Sequence, residues 1–393
     1  MVMDKLYGEN CSCCHVCEPR NTAEYATLFT PELMARLLAD IFAGKFDEGR
    51  EIYPALYEAC RDTFRRALDE GYPLPEGADD AETLFREALR SDADVFAAFR
   101  THRMQNDIAS QLLDEDGKLK EWRQFREDAE AVIGTYNNHW LRTEYDTAVL
   151  RARQAADWKG FERNADILPN LKWMPTTSAD PDLFHREYWR IGLTLPISHP
   201  FWNSHHPGDR WNCKCSLEAT DEPVTGSIPD AGYKPSPGLE NNPGTDGKLF
   251  SPSHPYYEKA YPGAERASAS VLRKKLTEWY KENLPTVKVG NMEMKRFEVA
   301  TPDEESRTVI NRKFYEETAS KYKDSPDYAI RLEFARQAHL LFPKSVHVRD
   351  EVPRDHDDAL AFRVYQYRTG EFTIEFKCKV NGDGCFLHFM RLL

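Results

Sequence analysis

The sequence predicts a mainly α N-terminal region with a small irregular Trp/His/Cys motif, then an α+β C-terminal domain with an antiparallel sheet. Three observations predict this. Apolar residues recur at three- and four-residue spacing up to about residue 165. Residues 169–222 are rich in Pro, His, Trp and Cys and have little periodicity. From residue 345 onward, short runs alternate between apolar and polar.

The 393 residues suffice for two or three domains of roughly 100–200 residues each. Charged residues make up 30% and the hydrophobic class 41%, a globular rather than a disordered or fibrous balance. No apolar run approaches the ~20 residues that cross a bilayer, so no membrane partner is expected. Asp4, Lys5 and Glu9 leave no apolar stretch for a secretory signal. A net charge of −13 argues against a general nucleic-acid coat, though not against a small basic site.

The elements follow in order. Residues 1–29 form a Cys-rich tail in which Cys11, Cys13, Cys14 and Cys17 make overlapping Cys-x2-Cys pairs beside His15. That is half a zinc site, or a tail with incidental thiols. Thr30 caps a helix with Pro31 at its first position, and Leu33, Leu37 and Ile41 follow at helical spacing. A second helix runs from Pro54 to Glu70 and stops at Gly71, and Asp114–Gly117 is a polar break. Trp140, Leu141, Tyr145, Ala148, Val149 and Ala152 form a stripe, read as a packed helix face. Residues 30–222 make one helical domain. Residues 223–265, with eight prolines from Pro223 to Pro262, make a connector, because proline forbids long regular elements.

Residues 266–393 make the C-terminal domain. After a helix from Ala264 to Asn283, helices are expected over 311–322 and 328–341. Strands are expected over 345–349, 361–368, 371–380 and 385–392. Thr369-Gly370 and Asn381-Gly382-Asp383-Gly384 supply the turns of an antiparallel meander.

His185, His199, His205, His206, Cys213 and Cys215 crowd into the irregular segment between Trp173 and Cys215. In a chain without an export signal, clustered cysteines read as thiols or metal ligands before disulfides, in a reducing cytoplasm. Cys213, Cys215, His185 and His199 are the candidate zinc ligands. The alternative is that Trp202 and Trp211 pack around buried thiols while the histidines sit on the surface.

The same segment resembles the signature of the Mu-type F family of phage head morphogenesis proteins, related to the SPP1-type portal-associated minor head protein. The resemblance rests on Trp173 and Thr176, Asp180 or Asp182, His185, Gly192, His199-Pro200-Phe201-Trp202 and Pro207. Trp211-Asn212-Cys213-Lys214-Cys215 closes it, and Gly238 with Asn242-Pro243-Gly244 follows. The acidic residue lies closer to His185 than is usual, Lys214 replaces the commoner Arg, and the family's upstream Cys-x2-Cys is missing. The resemblance covers residues 30–250. It implies a minor capsid protein of the virion, present in the host cytoplasm during assembly. Its partners would be the portal protein and the major capsid or scaffold proteins.

In the C-terminal domain, Phe372, Ile374, Phe376, Cys378 and Val380 share one face of a strand, and Thr373, Glu375, Lys377 and Lys379 share the other. Glu375 and Lys377 offer the carboxylate and lysine of a Mg²⁺-dependent nuclease, with Asp350, Glu351, Asp357 or Asp358 as a second acidic group. A metal-free ribonuclease would instead gather His347, Arg349, Tyr365, Lys377, His388 and Arg391. The bland alternative is a solvated sheet face. By layout alone, residues 300–393 resemble the small nuclease folds grouped around barnase, colicin nucleases and RelE, which Mu-type F proteins often carry as an added toxin-like domain. The resemblance implies nucleic acid as partner, and the residue pattern itself nominates Glu375, Lys377, His388 and Asp350 as catalytic candidates.

Overall fold

The structure is a computed structural model that describes residues 3, 6, 7, 28–176, 183–211, 213–302, 304–355 and 357–393, with the side chains of 138 and 139 excepted. Cys11, Cys13, Cys14, His15, Cys17, Asp180, Asp182 and Asn212 lie outside the described residues. The chain divides into two compact units. One comprises Met1–Pro75 and Asp92–Ser268, the other Glu76–Ser91 and Ala269–Leu393.

The first unit is helical at its base. Helix α1 (Pro31–Phe42) is capped by the Thr30 hydroxyl, which accepts from Leu33 N at 3.1 Å. Helix α2 (Pro54–Gly71) and α3 (Asp80–Ala109, in this unit from Asp92 onward) follow, and Asp114–Gly117 forms the turn before α4 (Trp122–Gly134). A π-helical turn (Thr135–Trp140) leads into α5 (Leu141–Arg163), whose buried stripe includes Leu141, Tyr145, Ala148, Val149 and Ala152. Helices α2 and α5 approach closely at Gly71, where an added Cβ would stand 2.4 Å from the Val149 carbonyl oxygen. Only a glycine admits that crossing. Beneath the stripe, Arg100 Nε donates to Glu144 Oε2 at 2.6 Å, and Tyr7 and Tyr256 donate to Oε1. Both charges are wholly buried, so each depends on the other and on these hydroxyls.

The segment after α5 carries more regular structure than its sequence suggests. Strand β1 (Asn170–Met174), helix α6 (Leu183–Arg190), β2 (Thr194–Pro196), a 3₁₀ turn (Pro200–Asn203) and β3 (Ser216–Thr220) build a small sheet ordered β2-β1-β3, antiparallel throughout.

The stretch 223–265, expected as a connector, instead packs into the first unit. Leu239, Leu249, Phe250, His254 and Tyr256 are buried, and Phe250 stacks on Phe96 with ring centroids 4.0 Å apart. Its prolines start short helical turns rather than merely breaking long ones. Pro243 opens α7 (Pro243–Asp246) behind the Asn242 cap, and Pro255 opens α8 (Pro255–Glu258) behind the His254 cap.

The second unit is α+β. Helix α9 (Ala264–Asn283) precedes β4 (Thr286–Val289), β5 (Met292–Ala300) and β6 (Arg307–Asn311). Helices α10 (Arg312–Ser320), α11 (Tyr328–Arg336) and α12 (Ala338–Leu341) lead to β7 (Val346–Glu351), β8 (Ala361–Thr369), β9 (Phe372–Asn381) and β10 (Gly384–Leu392). The strand order is β4-β5-β6-β10-β9-β8-β7. The last three strands form the expected meander and β7 adds to it antiparallel to β8, but the sheet as a whole is mixed, because β10 pairs with β6 in parallel. This corrects the expectation of an antiparallel sheet. Strands β4 to β6 escaped the sequence reading because β5 is a mostly exposed Met/Lys/Arg/Glu run without clean alternation.

Helices α10 and α11 cover one sheet face. Phe314, Tyr315, Leu332 and Phe334 pack with Ile374, Phe376, Cys378 and Met390. Among the described residues no helix is long and apolar enough to cross a membrane.

Candidate metal centre and a charged sheet face

In the first unit, β1 contributes Trp173 and the 3₁₀ turn contributes Trp202, and both are buried with Cys213 and Cys215 in one cluster. The Trp202 indole donates to the Pro196 carbonyl at 3.0 Å. Trp211 packs against Phe250 and His254, with centroids 6.0 and 5.7 Å away. Phe201, beside Pro200, lies edge-on to Trp202 at 5.2 Å. The Asn242-Pro243-Gly244 stretch ties this cluster to α5. Asn242 donates to the Trp202 carbonyl at 3.0 Å, and a Cβ on Gly244 would come within 2.3 Å of Trp158 Cβ. Arg151, also on α5, is buried and donates to the carbonyls of Gly208, Asn241 and Leu249. One helix thus gathers three irregular loops, and burial lowers the Arg151 pKa to about 10.

Within this knot, His185, Cys213 and Cys215 offer ligand atoms that lie within 4.8 Å of one another, all buried. His185 reaches inward from α6. Its Nδ1 is 3.3 Å from Cys213 Sγ and its Nε2 is 2.7 Å from Asp209 Oδ1. The other Asp209 oxygen accepts from the Tyr233 hydroxyl at 2.8 Å. Burial would raise the Asp209 carboxyl, but His185 outweighs it and draws the carboxyl well below its ordinary range. Burial would likewise lower His185, yet the Cys213 sulfur and Asp209 together raise it.

The donor set fits a soft cation: two sulfurs and one imidazole nitrogen, with the second ring nitrogen oriented by a carboxylate as metal-bound histidines require. The same row of Cys213, His185 and Asp209 also has the order of a cysteine nucleophile, base and orienting acid. However, Cys213 is only 6% exposed, and burial pushes its thiol well above the ordinary value. A reactive cysteine needs the opposite.

Of the four nominated ligands, three converge and His199 does not. Its Nδ1 accepts from Phe201 N at 3.1 Å and caps the 3₁₀ turn. His206 is buried between the carbonyls of Pro207 and Asn241. Asp209 and Tyr233 were missed by sequence reasoning. Asp209 left a signal, being the sole acidic residue between Glu187 and Glu218; Tyr233 left none.

In the second unit, Glu375 stands on the sheet face opposite the helices. Arg349 Nη1 is 3.0 Å from one of its oxygens, Arg391 Nη2 is 2.7 Å from the other, and Gln366 also donates. The residue is only 5% exposed. Burial would raise its carboxyl, but the two arginines hold it below the ordinary value. Lys377 lies 2.6 Å from Glu351 and 4.4 Å from the centre of the Phe362 ring. His388 sits at an irregularity of β10 with its ring near Phe362 and Phe389, and burial with nearby Lys321 lowers it to about 4.

Asp350 is not gathered into this group. Its carboxylate takes His347 at 2.9 Å. Tyr365 pairs in register with Phe376 and faces the helix-covered core instead. Among the described residues of this unit, no three potential metal ligands converge. Glu375 is flanked by Arg349 and Arg391, and a second carboxylate, Glu351, joins the network only through Arg349, which binds it at 2.9 Å.

The chain matches no protein-family model, no curated protein and no solved structure.

Proposed function

We propose that the chain is a phage minor capsid, or head morphogenesis, protein that acts at the portal vertex in head assembly and DNA packaging or delivery. One observation carries the reading. The separated residues Trp173, Trp202, Cys213, Cys215, Asn242 and Gly244 belong to one buried knot braced against α5. A rigid knot of this kind suits a docking body better than a catalytic cleft. Zn²⁺ would be held by His185 Nδ1 and the sulfurs of Cys213 and Cys215, and would staple a loop-rich unit with a small core of its own.

The test is mass spectrometry of particles purified after induction of a strain carrying the gene, with copurification of the portal protein from co-expressing cells. Absence from particles together with no portal association would sink the reading. Elemental analysis of wild type and Cys213→Ser/Cys215→Ser decides the metal. About one zinc per chain, lost in the variant, supports it; a zinc-free wild type ends it.

A second reading is favoured by Glu375, Arg349 and Arg391: the virion-carried chain delivers a C-terminal nuclease. A buried carboxylate flanked by two guanidinium groups can accept a proton while the arginines hold a phosphodiester, which is metal-free chemistry. Glu375→Gln and Lys377→Ala in the full chain, assayed on tRNA and duplex DNA with and without Mg²⁺, test it. Cleavage lost in Glu375→Gln and insensitive to chelator supports it. No cleavage by wild type, or cleavage unchanged in both variants, removes it.

A further inference from the structure

A cleft of about 290 Å³ opens in the second unit between α9 and α10, and its lining includes Arg273, Tyr280, Lys281, Arg312, Tyr315 and Glu316. Arg273 and Lys281 lie eight residues apart on α9 with Thr277 midway, so all three share one helix face. Both are exposed, and among the described residues neither has an ion-pair partner. Across the cleft, Arg312 is the first residue of α10, whose N-cap is Asn311. Arg312 Nε binds Glu316 Oε1 at 2.7 Å, which neutralises the single carboxylate of the lining. Three cations less one anion leave two net positive charges beside the positive end of a nine-residue helix.

A further observation is independent of charge. Tyr315 lines the cleft and is fully buried, stacked on Tyr280 with ring centroids 5.4 Å apart. Among the described residues its hydroxyl has no hydrogen-bond partner, an arrangement that is costly unless something else supplies one. Cations flanking an orphaned donor are the components of an oxyanion site.

We propose that this cleft binds a phosphate group through Arg273, Lys281 and the N-terminal turn of α10, with the Tyr315 hydroxyl as a donor. The inference goes beyond both readings above. It concerns the helix side of the sheet, whereas Glu375 stands on the opposite face, so either can fail without the other. Both aromatic rings are buried, which leaves no exposed ring for a base to stack on. Recognition would therefore stop at the phosphate.

The test is calorimetric titration of the full chain with inorganic phosphate, a 5′-phosphorylated dinucleotide and the same dinucleotide bearing a 5′-hydroxyl. Saturable binding of inorganic phosphate and the 5′-phosphorylated form at roughly millimolar concentration is expected, with weaker binding of the 5′-hydroxyl form, whose single internucleotide diester carries less charge. Equal affinity for both phosphates assigns a free anion as the ligand, and tighter binding of the dinucleotide assigns a strand end.

Arg273→Gln/Lys281→Gln should weaken binding about tenfold or more, and Tyr315→Phe by roughly three- to tenfold. Both changed lysine and arginine side chains are exposed, so the double variant is expected to melt like wild type, and a thermal melt checks this. No saturable phosphate binding by wild type, or undiminished binding in the folded double variant, overturns the proposal.

Discussion

Asp209 Oδ1 lies 2.7 Å from His185 Nε2, and this contact leaves the opposite ring nitrogen facing the Cys213 sulfur. Neither residue is exposed, so no water competes for the bond. The carboxylate therefore sets which nitrogen is available to a cation.

If the site holds zinc as proposed, Asp209→Asn should weaken its binding by about 10- to 100-fold without removing a ligand. Competition with a chromogenic chelator measures it. Unchanged affinity would mean that the aspartate braces the fold only.

Gly244→Ala should destabilise the first unit by roughly 1–3 kcal/mol or more, because its Cβ would lie 2.3 Å from Trp158 Cβ. Gly226→Ala is the control, since an added Cβ there meets nothing within 4 Å. Urea unfolding of both variants separates a packing requirement from a loop preference. Equal midpoints would contradict it.

Asp92 accepts from Leu249 N and Phe250 N at 2.8 and 3.1 Å, yet burial outweighs these donors and raises its carboxyl to about 7. The folded state thus holds a proton that the unfolded chain releases near pH ~4. Between about pH 4 and 7 the folded state binds more protons, so this residue's contribution to stability falls as pH rises. Asp92→Asn should gain stability relative to wild type on going from pH ~5 to ~8, by on the order of 2–4 kcal/mol. Paired unfolding curves at the two pH values check it, and a pH-independent difference would refute it.

Removing Glu375 leaves Arg349 and Arg391 facing one another without their shared partner. Glu375→Ala should therefore cost roughly 1–3 kcal/mol. Glu351 is paired as well, but its side chain is 34% exposed. Glu351→Ala should cost under about 1 kcal/mol after solvent screening. Denaturant midpoints in low salt rank the two, and the reverse ranking would show that the buried cluster is not held by charge.

Where apolar spacing repeats, the sequence was legible. Thr30-Pro31 marked the start of α1, and the stripe from Leu141 to Ala152 marked the buried side of α5. Alternation along β9 separated Ile374, Phe376 and Cys378 from Glu375 and Lys377 correctly, because the side-chain period of a strand is independent of its neighbours. Cys213, Cys215 and His185 were nominated together from residue type and crowding.

The partners of those residues were not legible. His199 and His185 are the same residue type in the same segment, yet one caps a turn and the other meets two thiols. Glu375 was nominated beside Asp350, but β7 places Arg349 and not Asp350 against it. The parallel pairing of β6 with β10 joins residues far apart in the chain, and local pattern carries no register for such a pair. The sequence alone determined which faces are apolar and which residue types are present to do chemistry, because both follow from local periodicity and side-chain identity. Only the tertiary structure decided which donor meets which acceptor, since that depends on distances set by packing between remote segments.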